Sequence, residues 1–144
     1  MIILDTDIIS VLDIRSGSAY NALAARLQQP SADRVAVTII SFEEQMRGWL
    51  SYIAASRATK RQIEGYARLH RMMRWYQQQE VLDFDSGAGA VFDGLQRARL
   101  RIGTMDLKIA SIALDERALL LSRNLRDFRR VPNLRVEDWT QAAG

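Results

Sequence analysis

The sequence predicts an α/β sandwich with a central, mostly parallel sheet of four to five strands. Short runs rich in isoleucine, valine and leucine recur at Ile2–Leu4, Val35–Ile40, Val81–Phe84, Ala118–Leu121 and Leu134–Val136. Longer segments with apolar residues at helical spacing separate them, and strands joined by helices pair in parallel. The chain has 144 residues, 48% of them apolar, which suits one domain spanning 1–144 with a full core.

Each element has its own signal. Ile2-Ile3-Leu4 is short and β-branched, as buried parallel strands are. A short helix follows, and Ser18 opens a second with Tyr20, Leu23, Ala24 and Leu27 on one face. Pro30-Ser31-Ala32-Asp33 breaks it. Val35 to Ile40 is the clearest strand. Ser41 is expected to start a helix to about Ala54, and Thr59 another to about Gln78. After the third strand, Ser86-Gly87-Ala88-Gly89 leads into a helix ending near Arg101. Gly103 closes that pattern, and Thr104 begins a helix to about Glu116.

Composition removes several chemistries. There is no cysteine, which excludes thiol catalysis, thiolate metal sites and disulfides. The N-terminal Met1-Ile2-Ile3-Leu4 is cut short by Asp5, so no signal peptide is expected, and no run approaches the ~20 apolar residues of a membrane span. A cytoplasmic protein is the expectation. Net charge is +3, and all basic residues except Lys60 and Lys108 are arginine, which binds phosphate in planar, bidentate fashion. Arg57, Lys60, Arg61, Arg68, Arg71 and Arg74 share one predicted helix, and Arg97, Arg99 and Arg101 end another. Arg123, Arg126, Arg129 and Arg130 crowd around Asp127, where a phosphate role is expected.

Four acids, Asp5, Glu44, Asp106 and Asp127, sit where a strand ends or a helix begins. Ligands in open α/β sheets bind beyond the carboxyl ends of the strands. Asp5 follows strand one, and Asn124 and Asp127 follow strand four. Glu44 and Asp106 fall in the first turns of helices whose N-termini face that same edge. Taken singly, Glu44, Asp106 and Asp127 each have a structural explanation. Ser41-Phe42-Glu43-Glu44 fits a capping box, Asp106 sits in the dipole of a helix start, and Asn124 to Asp127 has cap spacing. Asp5 has no such cap role to explain it. Together the four would repel unless a cation neutralises them, and oxygen-only ligands suit Mg²⁺ or Mn²⁺. The expected reaction is phosphodiester hydrolysis by a metal-activated water.

The same residues carry a family resemblance. Ile3-Leu4-Asp5-Thr6-Asp7-Ile8-Ile9-Ser10 resembles the opening block of PIN-domain ribonucleases. Thr38 to Gly48 resembles their second block, in which a glutamate precedes a glycine by four positions, selecting Glu44 over Glu43. Ile102 to Ala110 is similar to the third block, with Asp106 as its acid. Ser122-Arg123-Asn124-Leu125-Arg126-Asp127-Phe128 resembles the fourth, and Leu134 to Trp139 the family's ending. Within that family the chain looks most like VapC-type toxins of toxin–antitoxin pairs. The resemblance implies a PIN-like three-layer sandwich and an endoribonuclease that cuts RNA and inhibits translation. It implies Mg²⁺ or Mn²⁺ on Asp5, Glu44, Asp106 and Asp127, with Asp7 and Asn124 in support. It also implies a homodimer and a cognate antitoxin that blocks the site. Asp7 departs from the commoner asparagine, and Gln45 from an apolar residue.

Two other readings use the same sequence. Asp5-Thr6-Asp7 after strand one also resembles the D-x-D motif of haloacid-dehalogenase-like phosphatases, although Ser122-Arg123-Asn124 fits their later acidic pair poorly. A catalytically inactive PIN-like binding module is the other, and the complete acid set argues against it. Gly87-Ala88-Gly89 lacks the third glycine of a dinucleotide fingerprint. His70 reads as a surface or partner-contact residue. Trp49, Trp75 and Trp139, with the Met72 to Tyr76 segment, read as core or interface.

Overall fold

The computed structural model describes residues 1–142, and its sheet is wholly parallel with strand order β3-β2-β1-β4-β5. The strands are β1 (Ile2–Leu4), β2 (Val35–Thr38), β3 (Glu80–Leu82), β4 (Leu119–Leu121) and β5 (Arg135–Glu137). Between them run α1 (Thr6–Ile14) and α2 (Ser18–Leu27), α3 (Ile39–Ala55) and α4 (Thr59–Gln77), α5 (Ser86–Arg97) and α6 (Thr104–Asp115), and the single turn α7 (Leu125–Phe128). The expected α/β class and the five strands are present.

Strand alternation splits the apolar residues into two cores. Ile3 of β1 and Leu120 of β4 face α5, α6 and α7, meeting Ala88, Ile109, Ile112 and Phe128. Ile2 and Leu4, with Val37 and Leu121, face the other way onto α1, α2 and α4, meeting Ile8, Leu23, Met72 and Tyr76. Residues with essentially no exposed surface, such as Ile3, Ile8, Leu23, Ile109 and Phe128, lie in both layers. Burying a side chain of that size contributes about 1.5–3 kcal/mol. Helices therefore cover both faces, the arrangement that parallel strands require.

Several boundaries differ from the sequence expectation, and one matters for function. Ile39 and Ile40 belong to α3, not to β2. The Thr38 hydroxyl accepts from the Ser41 N–H at 3.1 Å, so Thr38 is the cap and Ser41 already lies inside the first turn. A hydroxyl three residues earlier wins over the β-branched run. No capping box exists at Ser41, and Glu44 falls in the second turn. Likewise Gly103, not Thr104, stands at the cap of α6, without a side-chain bond. Asn124 precedes α7 but caps nothing with its side chain. Helix α5 stops at Arg97 instead of Arg101. Beyond it Arg99 and Arg101 take left-handed backbone, at φ 54° and 57°, which helices do not continue through.

The order of strands also creates a crevice. The chain builds outward from β1 through β2 to β3, then crosses back to place β4 on the other side of β1. Connections leaving the carboxyl ends of β1 and β4 depart toward opposite faces, opening the sheet edge between them.

Candidate metal centre

The residues that leave β1 and β4 meet in that crevice. The Asp5 N–H extends the ladder by donating to the Leu121 carbonyl at 2.9 Å, which brings Asp5 beside Ser122. Asp5 is 4% exposed. One carboxylate oxygen accepts from the Thr6 N–H at 2.8 Å and the other from the Ser122 hydroxyl at 2.8 Å. Asp5 thus does cap α1, a role that its place at a strand end concealed. The Ser122 oxygen in turn accepts from the Asn124 N–H at 2.9 Å, setting the turn into α7.

The remaining acids come in from three helices. Asp7, in the first turn of α1, accepts from the Arg123 N–H, at 3.1 and 3.3 Å to its two oxygens. Asp106 lies in the first turn of α6. The Asn124 side-chain amide donates to Asp106 at 3.4 Å and to Asp127 at 3.1 Å, so one amide gathers acids from two elements. Glu44 accepts from the Thr6 hydroxyl at 2.8 Å. Glu43 instead pairs with Arg47 at 2.6 Å along α3, so the two neighbouring glutamates have separate surroundings.

Electrostatics registers the convergence. Burial, followed by the charge on Asp7, pushes the Asp5 carboxyl up to about 8, against two hydrogen bonds that lower it. Burial also raises Asp7, against the Arg123 N–H. Asp106 is raised by burial and then by the charges of Glu44, Asp127 and Asp7. Asp106 thus feels acids from three other elements, and Asp5 feels Asp7 and Asp106. Among the described residues no three His, Cys, Asp or Glu side chains stand close enough together to hold a metal ion as they are. Bare carboxylates gain by staying apart, and here amides and hydroxyls hold them. The donors are all oxygen, the set that suits Mg²⁺ or Mn²⁺.

The arginines divide. Arg123, Arg126, Arg129 and Arg130 are exposed beside the cluster. Arg130 pairs with Asp127 at 3.5 Å and donates to the Arg101 carbonyl at 2.9 Å, linking α7 to the loop before α6. On α4, Arg68 is occupied with Asp13 at 3.8 Å and the Trp49 ring. His70 is exposed. Sequence reasoning passed over Thr6, Ser41 and Ser122. Their one visible signal was a hydroxyl residue within three positions of a strand's carboxyl end. Tyr76, donating to Gln45 at 2.7 Å, was likewise missed, and burial, then the Glu44 charge, raises its hydroxyl.

No protein-family model matches the chain. Ribonuclease VapC2 of Rickettsia felis is 39% identical over 64 residues, which is 42% of this chain and 48% of that protein. A tRNA(fMet)-specific endonuclease VapC of Salmonella typhimurium is 40% identical over 65 residues, again 42% and 48%. The matched part spans about half the length of these curated relatives. Solved structures match throughout. The VapBC2 structure from Rickettsia felis, bound to a DNA fragment from its promoter, superposes at TM-score 0.68 and 27% identity, covering 96% of this chain and 99% of that one. VapBC-1 from nontypeable Haemophilus influenzae superposes at 0.71 and 26% identity, covering 98% and 100%. The α/β fold is therefore the one that these VapBC structures share with this chain, and a stretch of its sequence is similar to VapC ribonucleases.

Proposed function

We propose that this protein is a Mg²⁺- or Mn²⁺-dependent endoribonuclease, the toxin of a toxin–antitoxin pair, which cleaves RNA and so inhibits translation. The observation that carries this reading is the Asn124 amide. It joins Asp106 and Asp127 while the same loop, through Ser122, holds Asp5. Acids from β1, α6 and α7 are thereby aimed at one crevice. Asp5, Glu44, Asp106 and Asp127 would hold the cation, with Asp7 and Asn124 shaping the pocket around it. When bound, the cation supplies charge that stabilises a phosphodiester's developing negative oxygens and an acidified water. Exposed Arg123, Arg126, Arg129 and Arg130 stand beside the cluster, where they meet the phosphates of the strand.

The names of the relatives suggest transfer RNA as the first substrate to test, and single-stranded loops are the parts of RNA whose bases can be splayed and read. The VapBC complexes among the structural neighbours support an antitoxin partner here too. A homodimer and a cytoplasmic location complete the reading. No helix among the described residues is long and apolar enough to cross a membrane. Nothing in the crevice favours the phosphatase: Asp7 is engaged by the Arg123 N–H, not left free as an acid.

The test is cleavage of total bacterial RNA and of purified transfer RNA with Mg²⁺, Mn²⁺ or EDTA, beside Asp5→Asn and Asp106→Asn. Discrete fragments that vanish with EDTA and in both variants are expected. Cleavage that persists in EDTA, or in both variants, would sink the mechanism.

A further inference from the structure

We propose that Thr6 is a positioning residue, whose hydroxyl holds Glu44 in the acid cluster across the gap between α1 and α3. The inference rests on reading that cluster as a cation site. Glu44 is the acid whose backbone is least well placed: α3 starts at Ile39, so Glu44 lies in its second turn, away from the strand ends that position Asp5. A glutamate side chain so placed has several rotamers open to it, and fixing one costs entropy. Thr6 restricts it. The Thr6 hydroxyl lies 2.8 Å from Glu44 Oε1 and is the one hydrogen-bond partner of that carboxylate among the described residues.

Thr6 holds two acids at once. Its backbone N–H donates to Asp5 at 2.8 Å while its hydroxyl reaches Glu44. The spacing between the two carboxylates is thus set through a single residue, and a β-branched one with a stiff χ1. Ser41 completes the arrangement. It is wholly buried, and its oxygen lies 2.9 Å from that of Thr6. Thr6 has one hydroxyl proton for these two neighbours, and a carboxylate can only accept. With the proton directed to Glu44, the Ser41 hydroxyl becomes the donor to Thr6 and fixes the direction of the relay. Partners of this kind, which touch a ligand and not the metal, typically change affinity by about 10–100-fold.

The experiment is Mn²⁺ titration of the full chain by calorimetry, with wild type, Thr6→Val, Thr6→Ser, Glu44→Ala and the Thr6→Val/Glu44→Ala pair. Valine keeps the shape of threonine and loses the donor. Thr6→Val should weaken Mn²⁺ binding by about 10–100-fold, and Thr6→Ser should restore it. Once Glu44 is alanine, Thr6→Val should add nothing, because both changes remove the same contact. Where the buried Ser41 hydroxyl, left without its partner, unfolds Thr6→Val, the Thr6→Val/Ser41→Ala chain removes that orphan and should show the same loss. Wild-type affinity in Thr6→Val beside weakened binding in Glu44→Ala overturns the positioning role alone. Effects that multiply in the pair overturn it too, since Thr6 would then act independently of Glu44. A wild-type chain that binds no Mn²⁺ overturns the cation reading and this inference with it.

Discussion

Asp5 is the group whose charge the folded chain tolerates least. It is buried, no basic side chain is paired with it among the described residues, and its carboxyl is pushed up to about 8 by burial and by Asp7. The folded state thus favours the protonated form. That contribution to stability is present in full below the unfolded value of 3.8 and is lost as pH rises toward 8. The melting temperature of the cation-free protein should therefore fall between about pH 5 and pH 8. Asp5→Asn, which stays neutral, should flatten that slope, and thermal melts in EDTA across this range check it. Asn124→Asp is the complementary change. It replaces the amide that Asp106 and Asp127 share with a further negative charge. Melts in EDTA should show a loss of about 1–3 kcal/mol, and added Mn²⁺ should reduce it. An unchanged melt in EDTA would mean that Asn124 does not hold those acids apart.

Elements are fixed by contacts up to a helical turn from where local pattern puts them. The cap of α3 is Thr38, so Thr38→Ala should cost about 0.5–2 kcal/mol, measured by urea unfolding. Glu44→Gln should leave helix stability nearly unchanged, because Glu44 closes no capping box. The α3–α4 hairpin depends on Gly65. A Cβ there would lie 2.6 Å from the Ile53 side chain and 3.0 Å from Tyr52. Gly65→Ala should therefore destabilise by about 1–3 kcal/mol, against the gain that alanine ordinarily brings inside a helix. Increased stability in that variant would show that the two helices separate without penalty.

At the scale of the whole molecule, one crossing of the chain decides where the acids gather. Had β4 followed β3 at the same edge, Asp5 and Asn124 would stand several strands apart. Placed next to β1 instead, β4 delivers Ser122, Asn124 and Asp127 to Asp5. Exposed Arg123, Arg126, Arg129 and Arg130 crowd this same end of the sheet. Arg126→Gln and Arg129→Gln should weaken RNA binding by an otherwise inactive Asp106→Asn chain. Each should lower the slope of log affinity against log salt by about 0.7–0.9. Fluorescence anisotropy with a labelled single-stranded RNA at several salt concentrations reads this. Equal slopes would place the RNA elsewhere, for example along α4 with its exposed Arg61, Arg71 and Arg74.

The fold class, a sheet of four to five strands and the expectation that acids gather at one edge were legible in the sequence alone. Strand and helix periods are local, and a parallel sheet sends every strand's end to one edge. Three things belonged to the tertiary structure. Thr38 rather than Ser41 starts α3, because a hydroxyl bond competes with β-branched propensity at a junction of a few residues. Asp5 proves to be both a cap and a buried acid, since its second oxygen meets Ser122, 117 positions away. The supporting hydroxyls and amides of Thr6, Ser41, Ser122 and Asn124 show no periodicity. The hydroxyls' partners lie on other elements, so only folding reveals them, whereas Asn124 was already marked by the resemblance of its block. The sequence determined which carboxylates gather; the packing of α1 on α3 and of β1 beside β4 decided what holds them there.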